Sequence, residues 1–299
     1  MEKIKNTRGG IEIIIALIII IILGGVLLVG GVAPNLSRPS TDNSIFTPDE
    51  SILKGSQKNL QLKTIKFNSC TSTTAIGFLV DQSGSMKFGG GVKETNLKNA
   101  LNRFTGSFPD EGILGLRTYS DDTYSPIVVP FDFYKNNNSQ IASAITGMTP
   151  YKATHSKTAF EDMKRDLATA RAKFPNYQFN LIFISDGIPE SQKALDDFCP
   201  NGYDNSNKTY CRRHPDYPAQ QCRCFAPDQD PTQVASEINA SGVRIFSIVY
   251  LDDIDEVFRN QLKTLMENVS SDPATDYFEA PFDSQLDKIL DDISVKICK

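Results

Sequence analysis

Five oxygen-bearing side chains stand where apolar runs give way to polar sequence. Phe78-Leu79-Val80 leads into Asp81-Gln82-Ser83-Gly84-Ser85-Met86, and Phe179–Ser185 leads into Asp186-Gly187-Ile188-Pro189. Between them, just ahead of a helical pattern, lies Thr149-Pro150-Tyr151-Lys152-Ala153-Thr154-His155-Ser156. Alternate side chains share a face where a chain leaves a strand in extended form, so Asp81, Ser83 and Ser85 can converge. Ligands of open α/β sheets bind beyond the carboxyl ends of the strands, which is where these residues fall. Three hydroxyls and two carboxylates are hard donors suited to Mg2+, which takes six oxygens at about 2.0–2.1 Å and keeps some waters. Ser, Asp and Gly also cap turns routinely, but five donors at strand ends favour a shared cation.

The same stretch is poor material for catalysis. Asp81-Gln82-Ser83-Gly84-Ser85 lacks the first glycine of a Gly-x-Ser-x-Gly nucleophile elbow, and the chain has only two histidines to act as a base. Gly89-Gly90-Gly91-Val92-Lys93 does not complete a Walker A loop. The expectation is a protein that is not an enzyme. His155 reads as a surface histidine, though it neighbours Thr154 and could touch the site.

The elements that must hold these residues alternate. Ala75–Val80, Gly112–Tyr119, Phe179–Ser185 and Val243–Tyr250 are short apolar runs rich in β-branched and aromatic residues, and they read as strands. Glu94–Phe108, Ser139–Gly147, Thr158–Lys173, Thr232–Ala240, Asp255–Val269 and Gln285–Ile297 read as helices. Alternation of this kind predicts an α/β fold, doubly wound, with a mostly parallel sheet and helices on both faces. Tyr124–Phe131 is a further strand, placed at an edge by Pro126 and Pro130. Cys199–Pro231, with four cysteines and five prolines, breaks the rhythm and reads as an insertion leaving the sheet beside Asp186. It is either a stapled platform that shapes what can bind or an inert surface decoration.

On these residues the chain resembles the von Willebrand factor A domain over roughly residues 70–299. That family's metal-ion-dependent adhesion site has Asp-x-Ser-x-Ser after the first strand, a Thr before a mid-domain helix and an Asp-Gly after a later strand. Asp81, Ser83, Ser85, Thr154 and Asp186 match in order. The resemblance implies that Ser83, Ser85 and, in some states, Thr154 bind Mg2+ directly (Mn2+ or Ca2+ being alternatives). Asp81 and Asp186 would act directly or through water. Neutral hydroxyls leave such a cation able to attract an Asp or Glu carboxylate of a protein partner. One departure stands out. Many relatives carry Gly-Gly before the threonine, whereas Lys152-Ala153 stands here, and Lys152 would weaken metal binding by repulsion.

The six cysteines suit three disulfides in an oxidising compartment. Several von Willebrand A domains join their termini, which implies Cys70–Cys298. Cys199, Cys211, Cys222 and Cys224 would then pair within the insertion in a crossed or nested arrangement, with zinc held by these thiols and His214 as the rival.

Composition bounds the rest. With 299 residues, 40% hydrophobic, 22% charged and a net charge of −5, the chain is globular and too acidic for nucleic acid to be its partner. Ile13–Val32 is twenty residues without a charge. As a helix it would rise about 30 Å, the thickness of a bilayer core. Lys3, Lys5 and Arg8 precede it and only Arg38 follows closely, so the positive-inside rule sets the N-terminus in the cytoplasm and the remainder outside. The run exceeds the h-region of a cleaved signal, and Pro34 follows the small residues of Gly31-Val32-Ala33, so a retained anchor is expected. Arg8-Gly9-Gly10-Ile11-Glu12 is weakly similar to the leader junction of pilins. The predicted organisation is 1–12 cytoplasmic, 13–33 transmembrane, 34–66 an extracytoplasmic stalk and 67–299 the α/β domain with its insertion at 199–231. Two functions fit: a membrane-anchored, metal-dependent adhesion or protein-binding module, or a structural part of a tight-adherence-like pilus or a secretion assembly.

Overall fold

The computed structural model describes residues 73–87, 89–189, 211–212, 221–222, 227–251, 256–280 and 285–297. The chain divides into two units, Met1–Gln61 and Leu62–Lys299, and every described residue belongs to the second. The expected anchor and stalk, and Cys70, Cys199, Cys224 and Cys298, lie outside the described residues. Among the described residues no helix is long and apolar enough to cross a membrane.

Six strands form one sheet in the order β3-β2-β1-β4-β7-β8. They are β1 (Thr74–Asp81), β2 (Ile113–Tyr119), β3 (Val128–Phe133), β4 (Gln178–Ser185), β7 (Arg244–Tyr250) and β8 (Tyr277–Ala280). All neighbours are parallel except β2 and β3. From β1 the chain winds outward one way to β3, then returns to β4 and winds outward the other way. The β1/β4 boundary is therefore the switch point, where crossovers diverge and leave a crevice.

Period-two alternation builds two cores. Ile76, Phe78 and Val80 of β1, with Ile182 and Ile184 of β4, face α1 (Val92–Gly106), α2 (Tyr134–Gly147) and α6 (Leu286–Ile297). Ala75 and Leu79, with Phe179, Leu181 and Phe183, face α3 (Ser156–Lys173), α4 (Thr232–Ala240) and α5 (Glu256–Val269). Both faces of the central strands are buried, which is why they read as continuous apolar runs. Phe131 of β3 lies across the glycines of β1 and β2. A Cβ on Gly77 or Gly115 would stand 2.7 Å from its ring.

The doubly wound, mostly parallel architecture is the one expected. The edge strand begins at Val128 rather than Tyr124 and runs antiparallel. α2 begins five residues before the predicted Ser139. Its Asn136-Asn137-Asn138 run has low helix propensity, but Asn137 Nδ2 donates to Leu114 O (2.8 Å) and Pro130 O (3.2 Å), fixing that turn to the sheet. β8 was not expected, being four residues long at the opposite edge. In the insertion, β5 (Cys211–Arg212) pairs antiparallel with β6 (Gln221–Cys222), setting Cys211 opposite Cys222.

Candidate metal centre

β1 and β4 are adjacent and in register, so their carboxyl ends deliver Asp81 and Asp186 to the same edge of the sheet. Beyond β1 the chain closes a short 3-10 turn, Gly84–Lys87, with Ser83 and Ser85 directed inward and buried. Ser83 Oγ and Ser85 Oγ are 2.9 Å apart. Ser85 Oγ donates to Asp186 Oδ1 at 2.7 Å, and Ser83 Oγ lies 3.5 Å from the same oxygen. Thr154 arrives from a third direction. A Cβ built on Gly187 would stand 3.2 Å from Thr154 Oγ1, 3.7 Å from Ser85 Oγ and 3.9 Å from Ser83 Oγ. The three hydroxyls thus surround a cradle that stays open because residue 187 has no side chain.

Backbone bonds hold that third direction in place. Tyr151 N–H donates to Gln82 O at 2.6 Å, and Gly84 N–H donates to Lys152 O at 2.8 Å, stitching the two loops together. Ser120 Oγ sits within hydrogen-bonding distance of Tyr151 O (2.5 Å) and Ala153 O (2.9 Å), and His155 N–H donates to Ser120 O at 2.9 Å. Thr154 lies inside this lattice.

Asp81 stands behind the hydroxyls and is completely buried. Its Oδ1 accepts from Ser83 N–H at 2.6 Å; its Oδ2 accepts from Ser185 Oγ at 2.6 Å and from Tyr119 OH at 3.2 Å. Burial, with repulsion from Asp186, raises its carboxyl to about 7, and the hydrogen bonds only partly offset that. Burial likewise keeps the Tyr119 phenol protonated, with the Asp81 charge adding to the effect. The protonated Tyr119 hydroxyl can therefore donate to Asp81.

The second oxygen of Asp186 faces a cation. Lys93, in the first turn of α1, is buried, and its Nζ lies 3.1 Å from Asp186 Oδ2. Lys93 and Ser185 were not anticipated as parts of the site, although a signal for Lys93 exists. Leu97, Ala100, Leu101 and Phe104 mark the buried face of α1, and Lys93 falls on it four residues before Leu97. Two other expectations are corrected. Lys152 is exposed, with Nζ on Thr123 Oγ1 (3.2 Å) and over the Tyr151 ring, so the lysine that reaches the candidate site is Lys93 instead. His155 is buried rather than superficial, and its Nδ1 lies 2.7 Å from Asp122 Oδ1.

The donor set fits a hard divalent ion: Ser83, Ser85 and Asp186 share atoms within bonding range, Thr154 faces the same cradle, and Asp81 supports from behind. Among the described residues no group of three or more His, Cys, Asp or Glu could hold a metal without the hydroxyls.

A mostly parallel sheet with helices on both faces is a fold like that of von Willebrand factor type A domains. Residues 76–188 match the family model of the von Willebrand factor type A domain. The fold is similar to that of proximal thread matrix protein 1 from the mussel byssus, solved with a zinc-occupied MIDAS motif (16% identity, 77% of this chain and 48% of that one, TM-score 0.53). It is also similar to the pilus adhesin SpaC of Lactobacillus rhamnosus GG (17% identity, 78% and 32%, TM-score 0.54). A third is the D319A mutant of the PilB minor pilin of Streptococcus sanguinis (15% identity, 76% and 61%, TM-score 0.51). The chain therefore spans between a third and three fifths of the length of these structures. No curated protein matches it in sequence.

Proposed function

We propose that the protein is a membrane-anchored, non-catalytic adhesion module that binds an acidic group of a partner protein through a divalent ion, Mg2+ in the first instance. Ser83, Ser85 and Thr154 would supply neutral oxygens, and Asp81 and Asp186 the charge. The observation that carries this reading is the meeting of Ser83 Oγ, Ser85 Oγ and Asp186 Oδ1 around the cradle left by Gly187. When bound, the ion supplies a site of positive charge for a carboxylate. The protein positions it, screens it from bulk water and leaves it under-neutralised. The segment 13–33 would anchor the chain with its N-terminus in the cytoplasm and residues 34–299 outside.

A second reading, a structural role in a pilus or secretion assembly, is supported by the fold's likeness to a pilus adhesin and a minor pilin and by the Arg8–Glu12 junction. Thermal melts of the full chain in detergent test the metal reading. Mg2+ should raise the Tm, EDTA should reverse the shift, and Thr154→Ala should abolish it. Equal melts in Mg2+ and EDTA would count against the metal-dependent reading. N-terminal sequencing separates the two roles: cleavage near Gly10 favours the assembly subunit, an intact Met1 the anchored adhesin.

A further inference from the structure

Lys93 is the feature of the site that the family pattern does not account for. A lysine buried to this degree is rare unless paired, and Lys93 pairs with Asp186 Oδ2 at 3.1 Å, on the same carboxylate whose other oxygen faces Ser83 and Ser85. Its entry is built for it. Gly90 and Gly91 adopt left-handed φ values of 75° and 80°, so the chain turns sharply into α1 and drives the second residue of the helix into the interior.

The consequence is one of charge. With both carboxylates ionised, Asp81, Asp186 and Lys93 sum to −1. A divalent ion brings the buried cluster to +1, and a carboxylate from outside then brings it to zero. Without Lys93 the ion alone would neutralise the pair, and an added carboxylate would leave excess negative charge. Buried clusters are least costly near neutrality. We infer that Lys93 is a built-in counter-ion that opposes the metal when it binds alone and so couples metal uptake to capture of an acidic ligand. The inference rests on the metal-dependent reading above and concerns the order of affinities within that same site. By linkage the coupling is reciprocal: the carboxylate tightens the metal by the factor by which the metal tightens the carboxylate.

The test is calorimetric titration of Mg2+ into the full chain in detergent at pH 8, with and without saturating acetate as the carboxylate probe. For the wild-type protein, acetate should tighten Mg2+ by at least about tenfold, well inside the roughly thousandfold ceiling for one charge about 4 Å away at an effective dielectric constant near 20. Lys93→Met should bind Mg2+ alone about tenfold or more tightly than wild type and respond little to acetate. Lys93→Arg, which keeps the charge, should behave as wild type. Lys93→Gln, which keeps a donor towards Asp186 without the charge, covers the case in which Lys93→Met does not fold, and should match its expected behaviour. Mg2+ binding by Lys93→Met and Lys93→Gln no tighter than wild type would overturn the inference while leaving the metal site standing. No Mg2+ uptake by any of the proteins would instead remove the metal reading, and this inference with it.

Discussion

At Asp186 one carboxylate oxygen faces two hydroxyls and the other faces an ammonium. That division explains how a carboxylate can be buried without a metal. It also makes Asp186→Ala a poor probe, because breaking a buried pair leaves an uncompensated lysine at a cost of about 3–5 kcal/mol. Ser85→Ala is cleaner. It removes one hydrogen bond to a buried carboxylate, so unfolding in EDTA should cost about 1–3 kcal/mol less than for wild type, and the stabilisation by Mg2+ should be lost. Urea unfolding with and without Mg2+ measures both. Asp81 adds a pH dependence. Its carboxyl rises from an ordinary 3.8 to about 7 in the fold. Between those values the folded protein keeps a proton that the unfolded chain has released, so stability without metal falls as pH rises from about 4 to about 7 and then levels. Thermal melts in EDTA across that range should show the slope, and Asp81→Asn should flatten it; equal slopes in the two proteins would refute the assignment. At this scale the candidates Asp81, Ser83, Ser85 and Asp186 were legible because they follow recognisable apolar runs, and Thr154 because it stands just ahead of a helical pattern. Asp81's raised carboxyl was not, because it depends on burial by the folded sheet and on the charge of Asp186, which is distant in sequence.

Among the elements, the strands most easily read are those buried on both faces. β1 and β4 have no polar residue between Ala75 and Val80 or between Leu181 and Ile184 to blur their pattern. α1 was legible as a helix but not as a carrier of charge into the site, although Lys93 shares the stripe of Leu97 and Leu101. The edges were harder. β8 is four residues with Glu279 among them, and only its register with β7 makes it a strand. β3 is fixed less by an alternating pattern of its own than by the fit of one residue, Phe131, whose ring fills the space over Gly77 and Gly115. Gly77→Ala and Gly115→Ala should each destabilise by about 1–3 kcal/mol through overpacking, measured by chemical denaturation. Pairing either with Phe131→Leu should cost less than the sum of the two single changes, since the residues share one contact.

For the whole molecule, the switch point between β1 and β4 gathers the candidate site at one end of the sheet, between the two cores. In the sequence the insertion, residues 199–231, follows the β4 end that carries Asp186 and Gly187. If 34–299 lies outside the cell, protease added to intact cells should degrade the domain while sparing epitopes at the N-terminus. Protection of the domain would contradict the orientation drawn from Lys3, Lys5 and Arg8.

The alternation of strands with helices, the five oxygen donors at strand ends and the uncharged run of Ile13–Val32 are all local patterns, and local patterns are written directly in residue order. Tertiary structure alone decided that Lys93 meets Asp186 across ninety-three positions, that Lys152 turns away towards Thr123, and that Asp81 lies beyond the reach of water. Charge and burial act through space, and how near two residues come in space depends on how the whole sheet is wound.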